Sequence, residues 1–108
     1  KSLVNKMLSF AEFKGAKVIV ELGGGDGSIT KGIIERMDKD ATLYVFEISE
    51  HFCENLKKEF ASDNVVIICD SAENMDKHLK GEPVHFSTIK TAFTLKNFPP
   101  AFIMVCNS

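Results

Sequence analysis

Lys17-Val-Ile-Val-Glu-Leu-Gly-Gly-Gly-Asp-Gly-Ser28 is the stretch from which the fold is read. Lys17 to Leu22 is a short apolar run rich in β-branched residues and bounded by glycines, the pattern of a buried parallel strand. Gly23 to Gly27 forms a glycine-rich turn. From Ser28 to Met37 the apolar residues Ile29, Ile33, Ile34 and Met37 recur at helical spacing. A strand, a glycine turn and a helix in succession mark the place where α/β folds bind ligands. The carboxyl ends of the strands open into a crevice there, and the helix start offers unpaired amides.

The glycine spacing narrows the ligand. The dinucleotide pattern G-x-G-x-x-G fails, because its last position falls on Ser28 or Thr30. A phosphate-binding P-loop fails as well, since Lys31 follows Thr30 and precedes Gly32. An acidic residue followed by G-x-G-x-G does fit, as Glu21, Gly23, Gly25 and Gly27. Between Lys17 and Lys31 there is no lysine or arginine. That suits a ligand without phosphates, with a tail carrying an amino acid and a sulfonium. The alternative is a tight turn with no ligand, at a high cost in chain entropy for so many glycines.

Outward from this stretch the alternation continues. Ala41 to Glu47 reads as a second strand. Ser49 is suited to cap a second helix, with Phe52, Cys53, Leu56 and Phe60 on one face. Val65 to Cys69 reads as a third strand, ending in Asp70. This order implies right-handed βαβ crossovers and a parallel sheet. Upstream, Leu3, Val4, Met7, Leu8 and Ala11 predict an amphipathic helix, broken by Gly15. Downstream, Ala72, Met75 and Leu79 suggest a short helix, Glu82 to Leu95 has no period, and Ala101 to Cys106 looks like one more strand. The expected fold class is α/β, a Rossmann-like parallel sheet with flanking helices, incomplete at three to four strands and irregular in its C-terminal part. The expected organisation is a single, truncated domain over 1–108, with an N-terminal helix over 1–14 and a cofactor-binding core over 17–72.

Two carboxylates stand at strand ends. Glu47 ends the second strand, where an acidic side chain can accept hydrogen bonds from both hydroxyls of a ribose; a solvated strand-end charge is the plainer alternative. Asp70 can accept from the exocyclic amine of an adenine, or cap the helix that follows it. Ile48 is placed either to pack on the adenine face or to join the core. Together the turn and the strand ends point to an adenosine-bearing cofactor.

The net charge of −2 lacks the basic surplus of a nucleic-acid binder. Cys53, Cys69 and Cys106 include no C-x-x-C pair and are odd in number, which argues against a disulfide framework and for a reducing cytoplasm. No apolar run is long enough to span a bilayer, and no stretch reads as a signal peptide. His51 and Cys53, two apart on a helix, point away from each other, so no metal is expected. His51 reads as a surface residue and His78 as a solvated one. His85 lies in the stretch from Glu82 to Leu95 that has no period. Cys69 reads as a small core residue.

Three segments carry a family resemblance. Val18-Ile-Val-Glu-Leu-Gly-Gly-Gly-Asp-Gly27, Val45-Phe-Glu-Ile48 and Ile67-Ile-Cys-Asp-Ser71 resemble the first three motifs of the class I S-adenosylmethionine-dependent methyltransferases. Within them, Lys14-Gly-Ala-Lys-Val-Ile-Val-Glu-Leu-Gly23 and Ser28-Ile-Thr-Lys31 are most similar to bacterial phospholipid N-methyltransferases, relatives of the ribosomal RNA adenine dimethyltransferases. The resemblance covers about two thirds of the chain, Leu3 to Asp70. It implies S-adenosyl-L-methionine as cofactor, held by Glu21, Gly23, Gly25, Gly27, Glu47, Ile48, Asp70 and Ser71. It implies in-line methyl transfer to the amine of a phospholipid head group; the alternatives are a nucleic-acid N-methyltransferase and a non-catalytic truncated cofactor-binding module. It names no catalytic residue. Gly24-Gly25-Asp26 departs from the usual Pro-Gly-Thr, and Asn97-Phe-Pro-Pro100 and His85-Phe-Ser-Thr88 only echo the acceptor-site motif. The expected partners are the cofactor, peripheral contact with membrane phospholipid through the helix bearing Lys1, Lys6 and Lys14, and an oligomer or partner over an open sheet edge, with no nucleic acid. The expected location is cytoplasmic, peripheral to the inner membrane face. The same helix packing on the sheet is the alternative to membrane contact.

Overall fold

A computed structural model describes Leu8 and residues 13–79, 89–91 and 102–106. Five strands form one sheet in the order β3-β2-β1-β5-β4. They are β1 (Val18–Leu22), β2 (Thr42–Phe46), β3 (Val65–Ile68), β4 (Ile89–Thr91) and β5 (Phe102–Cys106). Two helices link the first three strands, α1 (Ser28–Arg36) and α2 (Glu50–Phe60). After β3 a 3-10 turn at Ala72–Asn74 leads directly into a single helical turn, α3 (Met75–His78).

Strands β1, β2 and β3 are parallel, as expected, with Leu22 opposite Phe46 and Phe46 opposite Ile68. The expected strand near the C-terminus is present as β5, but it runs antiparallel to β1, with Glu21 opposite Ile103. Strand β4, inside the stretch without a period, is antiparallel to β5. It is three residues long, too short to display an alternation. Of the expected 1–14 helix only Leu8, Phe13 and Lys14 are described: Leu8 is helical and buried, and Phe13 and Lys14 lie outside any helix.

Both faces of β1, β2 and β3 carry buried residues, which is why these strands read as near-continuous apolar runs. Ile19, Leu43, Val45, Val65 and Ile67 point to one face and pack with Ile29 and Ile33 of α1 and Leu56 of α2. Val18, Val20, Tyr44, Phe46 and Ile68 point to the other and pack with Met75 and Leu79. The alternation also places Glu21 on the face of Ile19, beneath α1. Ser49 caps α2 as its residue type predicts, its hydroxyl accepting from the Phe52 amide at 3.4 Å. On the surface, Lys17 pairs with Asp40, and the Gly15 amide donates to Asp38 Oδ2 at 2.8 Å.

The cysteine reading is corrected. Cys53 and Cys69 are joined by a disulfide, with Cα atoms 5.8 Å apart and a sequence separation of 16 residues. Helix α2 returns alongside β3, so the buried Cys53 comes to face a position just past the strand end. Cys69 is exposed there and is no core residue. In the loop-entropy picture, a bond closing a loop of this length restrains the unfolded chain by about 3 kcal/mol. Among the described residues no helix is long and apolar enough to cross a membrane.

Candidate cofactor site

The parallel register brings three chain segments to one edge of the sheet. The ladder runs one step beyond the strands: the Gly23 amide donates to the Phe46 carbonyl at 2.7 Å, and the Glu47 amide donates to the Ile68 carbonyl at 3.0 Å. The glycine turn, Glu47 and the Asp70 segment therefore stand side by side, where the chain leaves β1, β2 and β3.

The glycines divide by role. A Cβ at Gly24 would lie 2.7 Å from Val45 Cγ1 and 2.8 Å from Leu56 Cδ1, so this glycine lets the turn settle onto β2 and α2. Gly27 has φ of 88° and begins α1; a Cβ there would lie 2.5 Å from the Phe60 ring. Gly25 differs. Its φ is 56°, and a Cβ would meet none of the described residues within 4 Å. It is the one of the three whose open side can admit a ligand. At the start of α1, the Ser28 amide is taken up by Asp26 Oδ1 at 3.0 Å, so the unusual Asp26 caps the turn locally.

Glu47 holds the turn in place. Its Oε1 accepts from the Gly25 amide at 2.8 Å and its Oε2 from the Ser49 amide at 2.9 Å. A carboxylate offers about four acceptor sites. Each oxygen thus keeps one for an incoming hydroxyl, the number a ribose diol requires. Next to it, Ile48 is 76% exposed, a large apolar side chain outside the core.

Asp70 is more heavily engaged. Its Oδ1 accepts from the Ser71 amide at 2.7 Å and from Asn74 Nδ2 at 2.8 Å, and its Oδ2 lies 2.9 Å from His78 Nε2. These bonds, that of His78 foremost, pull the Asp70 carboxyl down to about 2, so it is ionised at neutral pH. The cap of the 3-10 turn is Ser71, whose hydroxyl accepts from the Glu73 amide at 3.2 Å. His78 is therefore no merely solvated residue: it is paired with Asp70 and sets its ring edge-on to Phe46, with centroids 5.8 Å apart. Chain order alone hides this, because the 3-10 turn has to bring α3 back toward the end of β3.

Glu21 is brought beneath the turn. It is wholly buried, its Oε1 accepts from the Thr30 hydroxyl at 2.7 Å, and its Oε2 has no hydrogen-bond partner among the described residues. Burial, chiefly, pushes its carboxyl up to about 8, with Glu47 and Asp26 adding to the rise and the Thr30 bond opposing it. Its period-2 position, shared with Ile19, is the signal in the sequence that it points inward. His51 is exposed, beside Asn55. His85 and the Asn97-Phe-Pro-Pro100 segment lie outside the described residues. Among the described residues no group of histidine, cysteine and carboxylate side chains could hold a metal.

No family model matches the chain. It is 34% identical over 67 residues, 62% of its length, to the ribosomal RNA small subunit methyltransferase A of Mycoplasma capricolum, of which it covers 24%. It is 40% identical over 50 residues, 46% of its length, to the ornithine lipid N-methyltransferase of Singulisphaera acidiphila, covering 26% of that protein. A probable ribosomal RNA small subunit methyltransferase A of Methanococcus maripaludis is 34% identical over 79 residues, 70% of this chain and 28% of that one. The chain thus spans about a quarter of the length of the curated relatives it matches. What it is similar to, in each case, is part of a methyltransferase, named for ribosomal RNA in two of these proteins and for an ornithine lipid in the third.

Proposed function

We propose that this chain is the cofactor-binding part of an S-adenosylmethionine-dependent methyltransferase. The observation that carries this reading is the alignment of Gly25, Glu47, Ile48 and Asp70 along the ends of three parallel strands, with acceptor sites free on both carboxylates. The residues fit the cofactor in kind. Gly25 leaves room for a ligand to approach the backbone, Glu47 has one acceptor free on each oxygen for the ribose hydroxyls, and Ile48 offers an apolar face to adenine. Asp70 keeps one acceptor for the adenine amine. Ser71, Gly23 and Gly27 shape the walls. Glu21, protonated beneath the turn, supports it from inside. A bound cofactor supplies a methyl group activated by its sulfonium. The chain's own part is to fix that group in position for in-line displacement, since orientation alone can lower such a barrier by several kcal/mol.

For the acceptor we propose the amine of a lipid head group. The likeness to an ornithine lipid N-methyltransferase and the net charge of −2 support it, because an RNA-binding surface calls for a basic surplus. A cytoplasmic place at the inner membrane face goes with that acceptor. In such a reducing compartment the Cys53–Cys69 pair would stand open as two thiols. Ribosomal RNA is the second reading, favoured by the relatives named for it.

Labelled S-adenosylmethionine, incubated with the chain and either vesicles containing amine head groups or ribosomal RNA, separates the two. Label in the lipid fraction alone is the expected outcome. Label in RNA alone would overturn the lipid assignment, and label in neither would leave a cofactor-binding module without transferase activity.

A further inference from the structure

We infer that His78 is a positioning residue that makes the crevice selective for a purine bearing an exocyclic amine, by holding the Asp70 carboxylate so that one acceptor site on Oδ2 faces the base. The inference rests on the cofactor reading above and adds a residue to it.

A carboxylate has about four lone-pair sites, two on each oxygen. On Oδ1 both are taken, by the Ser71 amide at 2.7 Å and by Asn74 Nδ2 at 2.8 Å. On Oδ2 one is taken by His78 Nε2 at 2.9 Å, and one remains. Because Asp70 is ionised, the His78 nitrogen facing it is the protonated one and donates. The remaining site is therefore the only place where Asp70 can receive a further donor, and its direction is set by the His78 bond. A purine amine is such a donor; a purine without the amine has nothing to offer there.

The imidazole is itself held in place. Met75 and Leu79, on either side of it in sequence, are buried against Ile68 and Phe46 and anchor α3 to the sheet. The His78 ring stands edge-on to Phe46, at an interplanar angle of 72°. Phe46 immediately precedes Glu47, so the same packing ties the base-reading carboxylate to the ribose-reading one. Without the imidazole, Oδ2 turns to water and the carboxylate can rotate about its remaining bonds on Oδ1. An amine then finds no fixed acceptor.

The test compares S-adenosylhomocysteine with its analogue lacking the 6-amino group, by calorimetric titration into the chain and into His78→Ala and His78→Gln, all checked for folding by circular dichroism. The chain should prefer the amine-bearing ligand by about tenfold or more, the range of a hydrogen bond to a charged group. His78→Ala should reduce that preference to about twofold or less, leaving the affinity for the amine-lacking analogue unchanged. His78→Gln, whose amide also donates, should restore the preference. An undiminished preference in His78→Ala overturns the inference. So does equal weakening of both ligands, which marks a structural role, or tighter binding, which marks an imidazole blocking the pocket. A chain that binds both ligands equally also overturns it while leaving the cofactor reading standing. A folded chain that binds neither overturns both.

Discussion

Replacing Gly27 by alanine should lower the stability of the fold by roughly 2–5 kcal/mol, read as a drop in the midpoint of urea unfolding. Two costs combine. The residue sits at φ of 88°, in the left-handed region, where a side chain costs roughly 1–2 kcal/mol. A Cβ would also lie 2.5 Å from Cε2 and 3.2 Å from Cζ of Phe60, a ring packed against the core. Forcing one extra carbon into such a contact typically costs about 1–3 kcal/mol. Gly15→Ala separates the terms. Gly15 has φ of 84° and none of the described residues within 4 Å of its Cβ position, so the backbone cost of about 1–2 kcal/mol applies without the Phe60 contact. Equal losses in the two variants would show that the α1 start does not abut Phe60 as described.

Glu21 should make stability fall as pH rises. In the folded chain its carboxyl is pushed from an ordinary 4.5 up to about 8, mainly by burial. Unfolding releases it to water, where it ionises at its ordinary value. Between about pH 4.5 and pH 8 the folded state therefore holds a proton that the unfolded state has lost. Stability is fullest below this window and declines through it, by an amount on the order of 5 kcal/mol from end to end. Glu21→Gln removes the titration, keeps an acceptor for the Thr30 hydroxyl and preserves the volume. Urea unfolding of the two proteins should give similar stabilities near pH 5. The glutamine variant should be more stable by several kcal/mol at pH 8. Parallel curves across the window would contradict a buried, protonated Glu21.

These two residues also show where the sequence was legible. The strand, turn and helix from Val18 to Arg36 could be read because each element is marked by its own period and by glycines. The ends of β2 and β3 could be read because apolar runs stop at Glu47 and Asp70. The cap at Ser49 follows from residue type. The direction of β5 could not be read, since a run such as Phe102–Cys106 looks the same whichever way its neighbour runs. Nor could β4, three residues long. The Cys53–Cys69 bond and the Asp70–His78 pair are tertiary facts. The first depends on α2 packing back along β3, the second on a 3-10 turn reversing the chain over four residues from Ser71 to Asn74. Glu21 was singled out for its type and spacing. Its alternation with Val20 and Leu22, on the side of Ile19, was the clue to its burial.

At the site, the carboxylates were found through their places at strand ends, while the hydrogen bonds that occupy them were not. Glu47 is a clasp on Gly25 and Ser49 as well as a candidate acceptor for ribose. Its two internal bonds and its two open acceptor sites belong to the same geometry, which is why the adenosine-bearing cofactor is the claim on which the other readings depend.

Calorimetric titration of S-adenosylmethionine into the chain, beside Glu47→Ala and beside NAD as a second ligand, tests that claim most directly, with circular dichroism to establish that each protein is folded. Saturable binding to the chain, its loss in the folded Glu47→Ala variant and no response to NAD are the results expected. A folded chain that takes up no S-adenosylmethionine, or that binds it equally well without the Glu47 carboxylate, would contradict the account.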